Sequence, residues 1–287
     1  MQKTCNSFKS CIEKKSILFK KDGYPIKECT RCGHRYTEID NSDSHVKKVY
    51  SDDYFFAGKQ GYPNYLNEKD ILIRVGINYS KIISKYALPG KLLDVGCAAG
   101  FILKGFEQAG WKCYGIEPNE TMAEYGRKEL NLQISTGVLE NFDTNEKFDL
   151  INIFEVIGHF TDLDKALTKI SNLLNKNGLL LIESWDMKST IAKLLGKRWH
   201  EYSPPSVVNW FSDKTLSQLV NRYGFTLIAK GRPQKKISIK HCISLFDEKT
   251  PRVIFKKRIL TFFSNTFGKY NIAYPPLDVK WYLFKML

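Results

Sequence analysis

The sequence predicts an α/β fold, in which a mostly parallel sheet carries helices on both faces. The first observation is an apolar run at residues 92–95, which ends in the glycine-rich turn of residues 96–100 and leads into a helical segment at 101–109. The second is another strand signal at 113–118, at the spacing of one strand–helix–strand crossover. The length of 287 residues suits one domain of this class with additions.

Each of these two strands carries an acid near its carboxyl end. Asp94 precedes the turn, and Glu117 closes the second strand. In a strand–helix–strand unit the second acid lies beside the turn, where its carboxylate can accept hydrogen bonds from both hydroxyls of a ribose. The turn lacks the G-x-G-x-x-G pattern that receives a pyrophosphate, and an acid beside it suits a cationic ligand better. S-adenosylmethionine, with sulfonium, ammonium and ribose groups, has this character.

From these residues onward the chain resembles the class I S-adenosylmethionine-dependent methyltransferases. Their first motif is similar to residues 94–100, with Ala98 where many members have glycine. Glu117 stands at the position of their ribose-binding acid. Residues 136–140 match their adenine-contacting loop, in which Val138 replaces an acid that is often present.

The resemblance continues through the later strands. Residues 148–159 are similar to the fourth strand and its exit loop, where Gly158 replaces the first residue of the usual Glu-His pair. Residues 173–183 match a helix end, a turn and the fifth strand. Residues 213–232 give a helix and the sixth strand, and residues 277–284 give a seventh, antiparallel strand. The resemblance therefore implies a Rossmann-like seven-stranded sheet with an antiparallel last strand.

The resemblance also implies which residues bind the cofactor and which act on the acceptor. The implied cofactor-binding residues are Asp94, Gly96, Cys97, Ala98 and Gly100 at the methionine end, Glu117 and Pro118 at the ribose, Val138, Leu139 and Glu140 at the adenine, and Phe154, Glu155 and Val156 beneath the methyl group. An oxygen or nitrogen acceptor must lose a proton, and a histidine with a pKa near neutrality suits this task. His159 is the first candidate for this base, although it can instead brace the loop after the fourth strand, and His200 is the second. Tyr54, Tyr65 and Tyr202 are further alternatives.

The N-terminal segment resembles that of a bacterial methyltransferase subgroup with a cysteine-rich, zinc-ribbon-like N-terminus. Members of that subgroup are often associated with glycan or secondary-metabolite biosynthesis. Cys29 and Cys32 form a C-x2-C knuckle, a spacing that lets two thiolates converge on one tetrahedral zinc ion. Cys5 and Cys11 are the candidates for the second pair, and His34 is an alternative ligand. Packing alone, without metal, can also hold such a segment.

We expect three regions along the chain. Residues 1–45 form a small cysteine-containing module, residues 46–90 a helical and aromatic segment covering the cofactor site, and residues 91–287 the methyltransferase domain. Within this domain, residues 186–212 are predicted to form an irregular lid over the methyl group. Residues 237–268 are predicted as a basic insertion on the substrate side of the sheet.

Charge is distributed unevenly, and this bears on the acceptor. The formal net charge is +14, and residues 186–287 contain 19 Lys and Arg against 6 Asp and Glu. Such a field favours an anionic partner, which can be a nucleotide-linked sugar, a lipid-phosphate-linked glycan, an acidic membrane surface or RNA. A solvated basic face is the simpler alternative. The basic and aromatic stretch at 252–267 can lie in a membrane interface, or cover the substrate pocket with its apolar side, which we favour.

The sequence also bears on location. No apolar run approaches the ~20 residues of a membrane span, and the N-terminus lacks the apolar stretch of a secretory signal. Seven cysteines, an odd number, suit a reducing compartment. We therefore expect a cytoplasmic protein, with peripheral contact at the inner face of the membrane as an open alternative.

The function expected from the sequence is methyl transfer from S-adenosylmethionine to a small-molecule or glycan acceptor, with oxygen as the favoured acceptor atom. A second hypothesis is RNA methylation, although no RNA-binding module is recognisable beside the catalytic domain. A third is a non-catalytic scaffold that binds the cofactor, which the replacements at Val138 and Gly158 keep open.

Overall fold

The computed structural model describes residue 13 and residues 15–39, 42–56, 64–233, 235–238, 271–274 and 277–287. The chain divides into two units, one made of Met1–Arg232 with Leu277–Leu287 and the other of Pro233–Pro276. Most of the predicted insertion at 237–268, including the basic and aromatic stretch at 252–267, lies outside the described residues.

Strands and helices alternate through the middle of the chain, as a parallel sheet requires. In chain order, the strands of the described residues are β1 (Lys15–Lys21), β2 (Tyr24–Cys29), β3 (Arg35–Tyr36), β4 (Lys91–Val95), β5 (Lys112–Glu117), β6 (Gln133–Thr136), β7 (Phe148–Phe154), β8 (Leu174–Trp185), β9 (Asn209–Trp210), β10 (Phe225–Gly231), β11 (Lys235–Ser238), β12 (Asn271–Tyr274) and β13 (Val279–Met286). The α-helices are α1 (Ser42–Val49), α2 (Asp52–Phe56), α3 (Lys69–Ile83), α4 (Phe101–Gln108), α5 (Glu120–Leu130), α6 (Leu163–Leu173), α7 (Thr190–Leu195) and α8 (Asp213–Asn221).

The predicted seven-stranded sheet is confirmed. Its strand order is β10-β13-β8-β7-β4-β5-β6. Strands β4 to β8 run parallel to one another, whereas β13 lies antiparallel between β8 and β10. The antiparallel strand is therefore the last one in the chain, as the resemblance implies for residues 277–284. All the parallel strands end at one edge of the sheet, and this edge is where ligands bind in such folds.

The central strands are buried on both faces. Leu92 and Leu93 point to opposite sides of β4, and both are fully buried. On one side the core contains residues of α6 and α8, and on the other it contains residues of α3, α4 and α5. Apolar side chains on successive positions of β4 thus require helices on both faces, as predicted from the continuous apolar run.

Helix α3 packs directly against α4 on one face of the sheet. A Cβ atom at Gly76 would lie 2.1 Å from the carbonyl oxygen of Ile102, and one at Gly105 would lie 2.1 Å from that of Ile73. Only glycine at these two positions permits the close approach of the helix backbones. The contact places the helix predicted before residue 90 over the strands that carry Asp94.

A second, antiparallel sheet joins the N-terminal segment to the region predicted as a lid. Its strand order is β1-β2-β3-β9, and β9 comes from residues 186–212. Arg35 pairs with Trp210 in this sheet. The same region is anchored by Trp199, which is fully buried and donates its indole N–H to Asp278 Oδ2 at 2.9 Å.

The described part of the second unit is a strand pair. β11 runs antiparallel to β12, with Lys235 opposite Tyr274 and Ser238 opposite Asn271. Across the described ranges of the whole chain, no helix has both the length and the apolar character needed to cross a bilayer.

Candidate functional site

The turn after β4 is held tightly against the neighbouring strands. The backbone N–H groups of Gly96 and Cys97 both donate to the carbonyl of Ile116, at 2.8 and 3.1 Å. Gly96 has a φ of +72°, and a Cβ atom there would lie 2.6 Å from Val156 Cγ2, so a side chain does not fit. Ala98 has a φ of +48°, which is uncommon outside glycine. This conformation accounts for the glycine that the resemblance leads one to expect at that position.

The turn ends at Gly100, which precedes the first residue of α4. Gly100 has a φ of +78°, and a Cβ atom there would lie 2.6 Å from Leu132 Cδ1. A left-handed residue of this kind lets the chain reverse from the strand into the helix without a steric clash. The turn residues predicted to bind the cofactor therefore form one compact loop at the carboxyl edge of the sheet.

Glu117 is buried beside this loop. Its two carboxylate oxygens accept hydrogen bonds from backbone N–H groups, Oε2 from Ala98 at 2.8 Å and Oε1 from Asn119 at 2.9 Å. Burial raises the pKa of Glu117 to about 7, against the lowering effect of these two amides. The carboxyl is thus fixed in direction and keeps lone pairs for a ligand's hydroxyl groups.

Asp94 is the second buried carboxyl of the site. It is 2% exposed and lies between Gly115 and Asn152 in the strand register. Burial, reinforced by the charge of Glu117, raises the pKa of Asp94 to about 8. Within the described part of the chain, neither carboxyl forms an ion pair with Lys or Arg. Two buried acids without a protein cation suit a ligand that brings positive charge.

Asn152, next to Asp94, is fully buried, and neither end of its amide has a hydrogen-bond partner in the described structure. We predict that Asn152→Leu raises the free energy of unfolding of the cofactor-free protein by about 1–2 kcal/mol, because an unpaired buried amide is costly. Urea unfolding measures this. The control is Asn209→Leu, which removes an amide bonded to His34 and to the carbonyl of Phe160 and should destabilise. A less stable Asn152→Leu protein would contradict the prediction.

Phe154, Glu155 and Val156 lie where β7 ends, next to the turn after β4. Val156 contacts that turn, and the ring of Phe154 lies 4.8 Å from that of Tyr79. Glu155 has a φ of +58°, and its N–H donates to the carbonyl of Glu183 at 2.9 Å. A non-glycine residue in this conformation is held there by its surroundings. The residues predicted beneath the methyl group therefore form a backbone-anchored surface at the sheet edge.

The loop predicted to contact adenine is hydrogen-bonded to Glu117, the acid predicted to bind the ribose. The N–H of Gly137 donates to the backbone carbonyl of Glu117 at 2.9 Å. Leu139 is 2% exposed and belongs to the hydrophobic core, so its side chain packs inward. The half-buried residues of this part of the site are Pro118, Gly137, Val138 and Glu140.

A hydrogen-bonded web connects Glu117's neighbour Asn119 to His159. Asn119 Nδ2 donates to the carbonyl of Tyr50 and to Asp52 Oδ1, both at 3.0 Å. The Tyr50 hydroxyl donates to the carbonyl of Ser206 at 3.0 Å, and His159 Nδ1 lies 2.7 Å from the same oxygen. The web brings the end of α1, the region 186–212 and the loop after β7 together.

The two predicted base candidates have different surroundings. His159 is half-buried, and because a carbonyl oxygen only accepts, its Nδ1 carries the proton and Nε2 the lone pair. Burial lowers the pKa of His159, so the ring is neutral near pH 7. The side chain of His200 is 42% exposed, with Nε2 3.4 Å from Glu201 Oε1. Its ring lies 4.8 Å from that of Trp185. The structure brings His159 into the web, whereas His200 lies at the surface.

His45 is a candidate that the sequence analysis missed. It lies on α1, is 7% exposed, and its Nε2 has no hydrogen-bond partner among the described residues. Burial and the nearby ring of His159 lower its pKa. No motif in the sequence surrounds His45, so the residue pattern offered no signal for it.

The knuckle containing Cys29 and Cys32 connects β2 to β3. The N–H of Gly33 donates to the carbonyl of Cys29 at 2.9 Å, and the N–H of Cys29 donates to the carbonyl of His34 at 2.8 Å. His34 is buried, and its Nε2 lies 3.0 Å from Asn209 Oδ1. Burial lowers the pKa of His34 to about 4. The Nε2 atom of this alternative ligand is therefore already used by the protein.

Within the ranges that the structure describes, no three His, Cys, Asp or Glu side chains are grouped so as to hold a metal. Two of the four predicted zinc ligands, Cys5 and Cys11, lie outside those ranges. Zinc at Cys5, Cys11, Cys29 and Cys32 stays a prediction.

Comparison with known proteins found similar sequences and similar folds. A ubiquinone biosynthesis O-methyltransferase of Rhodopseudomonas palustris (strain HaA2) is 26% identical over 147 residues, which cover 48% of this chain and 58% of the relative. The chain thus spans little more than half the length of that curated relative. The structure of the YcgJ protein from Bacillus subtilis superposes with a TM-score of 0.52 at 16% identity, over 74% of this chain and 98% of that one. Magnesium protoporphyrin IX methyltransferase from Synechocystis PCC 6803, solved with bound SAH, gives 0.51 at 14% identity, over 86% and 100%. At these identities the structural likeness shows the fold alone.

The sequence profile of a methyltransferase domain matches residues 76–230. This range is more than half of the chain and contains Asp94, Glu117 and His159. The resemblance found from the first motif is therefore confirmed for the family and for the fold, while the cysteine-rich subgroup stays a prediction. The chain belongs to the methyltransferase domain family.

Proposed function

We propose that this chain transfers a methyl group from S-adenosylmethionine to an oxygen atom of a small-molecule acceptor. One observation carries the proposal: Asp94 and Glu117 are buried at the tips of neighbouring strands, without a cation from the described residues. S-adenosylmethionine brings positive charge and two ribose hydroxyls, which such carboxyls accept. The name of the curated relative supports oxygen as the acceptor atom.

The residues around the turn after β4 fit this cofactor. Asp94 and the loop 96–100 would hold its methionine end, and Glu117, fixed by two backbone amides, would hold the ribose. The unpaired amide of Asn152 gives a further polar group beside Asp94. When bound, S-adenosylmethionine supplies a methyl carbon that is already electrophilic. The protein's main task is then to hold the acceptor in line with that carbon and to exclude water.

A hydroxyl acceptor must lose a proton, and the structure offers neutral imidazoles for this step. His159 presents Nε2 as a lone-pair acceptor because Nδ1 is bonded to the carbonyl of Ser206. The ring is fixed further by Tyr50, whose ring meets it edge-on at 5.5 Å. A neutral, oriented imidazole is the usual general base near neutral pH. We therefore assign proton removal to His159 Nε2.

We predict that His159→Asn lowers kcat by roughly 10²–10⁴-fold, the range expected for loss of a general base. The asparagine amide can replace Nδ1–H as donor to Ser206, so this variant keeps the brace and removes only Nε2. Steady-state kinetics with S-adenosylmethionine affinity measured in parallel would test this. A near-normal kcat in His159→Asn would assign a bracing role to His159 and turn the search for a base to His45.

The acceptor is proposed to be anionic, which includes the glycan precursors considered above. The support is the excess of basic residues in 186–287, 19 against 6 acids. Methylation of RNA would share this electrostatic preference but would depend steeply on salt.

The test is calorimetric titration with S-adenosylmethionine, followed by transfer of labelled methyl to catechol, UDP-glucose and total RNA. We expect cofactor binding and label on a small molecule in an alkali-stable ether. Binding without transfer to any acceptor would favour the scaffold hypothesis. Absence of cofactor binding by the folded protein would overturn the proposal.

A further inference from the structure

A cavity lies beyond the carboxyl end of β8, on the face of the sheet against which α8 packs. It has a volume of about 550 Å³, within the range of ~300–1,000 Å³ typical of small-molecule sites. Four segments that are distant in sequence line it: the knuckle with Arg31, the stretch of Asp186 and Lys188 after β8, the start of α8 with Lys214, and β13 with Lys280. We call this cavity the basic pocket.

The acids of the basic pocket are already paired. Asp213 accepts hydrogen bonds from Lys280 at 2.7 Å, Lys230 at 2.9 Å and the Tyr282 hydroxyl at 2.7 Å. Burial alone would raise the pKa of Asp213, but these donors lower it to about 2. Asp186 lies 2.9 Å from the same Lys280 Nζ and also accepts a backbone N–H at 2.9 Å. Because both acids already bind Lys280, neither of them can fully neutralise a further cation of the pocket.

Three cations of the basic pocket have no such partner. Arg31, Lys188 and Lys214 form no ion pair with any residue in the part of the chain that the structure describes. Three uncompensated positive charges around one concave surface focus a positive potential there. Arginine and lysine together provide the planar and point-charge donors with which proteins bind phosphate groups.

The position of the basic pocket relates it to the acceptor. Glu183, which pairs with Phe154 in the sheet, is three residues before Asp186 on the same stretch of chain. Three residues of strand span about 10 Å. A molecule with its anionic group in the pocket would pass over the carboxyl edge of the sheet to reach the end of β7, where the proposed methyl transfer takes place.

We propose that the basic pocket binds a phosphate or diphosphate group of the methyl acceptor. This assignment rests on the proposed function and narrows its acceptor to phosphorylated small molecules. The pocket would discriminate between phosphorylated and unphosphorylated acceptors, because Arg31, Lys188 and Lys214 would receive their negative counter-charge from the phosphate group of the ligand. An unphosphorylated analogue leaves these charges in water and lacks the anchor.

The test uses the full chain, with inorganic phosphate and pyrophosphate as probes in isothermal titration calorimetry. The variant is Lys188→Glu/Lys214→Glu, in which both changes are at exposed positions. The control is Lys165→Glu/Lys176→Glu, which changes net charge equally at exposed positions outside the pocket. We expect at least a tenfold loss of pyrophosphate affinity in the first variant and less than a twofold loss in the control. Tighter binding of pyrophosphate than of phosphate supports a diphosphate-linked acceptor, and the reverse supports a monoester.

Two results would overturn the assignment. One is absence of binding by either probe, or equal losses in the two double variants. The other is mutual exclusion of pyrophosphate and S-adenosylhomocysteine, because the pocket is proposed to lie apart from the cofactor's place. A separate titration with S-adenosylmethionine keeps the two proposals distinct. Binding of the cofactor without binding of pyrophosphate would overturn the assignment of the basic pocket and leave the proposed methyl transfer standing.

Discussion

Raising the pH from 6 to 8 should strengthen S-adenosylmethionine binding by at least roughly tenfold. The positively charged cofactor binds best when Asp94 and Glu117 are ionised, so its binding releases up to one proton from each of these buried carboxyls. The pKa values behind this expectation are about 7 for Glu117 and about 8 for Asp94, both raised first by burial. Below these values the carboxyls are neutral and attract a cation weakly. Calorimetry in two buffers of different ionisation enthalpy would measure both the affinity and the number of protons released.

The matched control for this pH effect is Glu117→Gln. It keeps an oxygen for one backbone amide and cannot ionise, so its affinity should be lower and should change less with pH. A wild-type affinity that is flat between pH 6 and 8 would contradict the assignment of the two carboxyls.

The stability of the cofactor-free protein should change with pH in the opposite direction to its affinity for the cofactor. For an acid whose pKa in the folded state is raised, the stabilising contribution is complete below its ordinary pKa and is lost as pH rises through the folded value. The free energy of unfolding should therefore fall as pH rises through about 7 to 8, the raised values of Glu117 and Asp94. Asp94→Asn should flatten this fall in urea unfolding experiments, whereas equal slopes in both proteins would argue against a buried, protonated Asp94.

Glu117→Ala should weaken S-adenosylmethionine binding by about 1–3 kcal/mol, a rise in Kd of roughly 5- to 150-fold, through lost charge-assisted hydrogen bonds. The carboxylate is aimed by the amides of Ala98 and Asn119, so its removal takes away a prepositioned acceptor. Part of the loss will come from the two amides that it leaves unpaired. Calorimetry at pH 8, where the carboxyl is ionised in the wild-type protein, measures the effect most clearly.

Glu146→Ala serves as the control for Glu117→Ala. Glu146 is half-buried and pairs with Lys91 at the amino end of β4, away from the turn. Its affinity for the cofactor should match the wild type. A Glu117→Ala protein that is folded and binds equally well would place the ribose elsewhere.

The fold could be predicted because its signals are local. The apolar run ending at Val95, the acid at Glu117 and the crossover spacing between them depend on short stretches of chain, and they determine which strands lie side by side. The antiparallel direction of the last strand was implied by the resemblance to the methyltransferase family. The helix that runs from Lys69 to Ile83 was visible in its apolar periodicity.

The parts of the site that could not be predicted from the sequence depend on contacts between distant residues. β3 and β9 have two residues each, too few for a periodic pattern, yet their pairing joins the N-terminal segment to the region 186–212. His45 shares no motif with His159, and only the fold brings the two rings near each other. The basic pocket likewise combines Arg31 with Lys188, which are separated by more than half of the chain.

The most direct test of the account is a crystal structure of the full chain with S-adenosylhomocysteine. The account predicts both ribose hydroxyls within hydrogen-bond distance of Glu117 and the amino group on the side of Asp94 and the loop 96–100. A nucleoside bound away from β4 and β5, or oriented with its ribose away from Glu117, would contradict it.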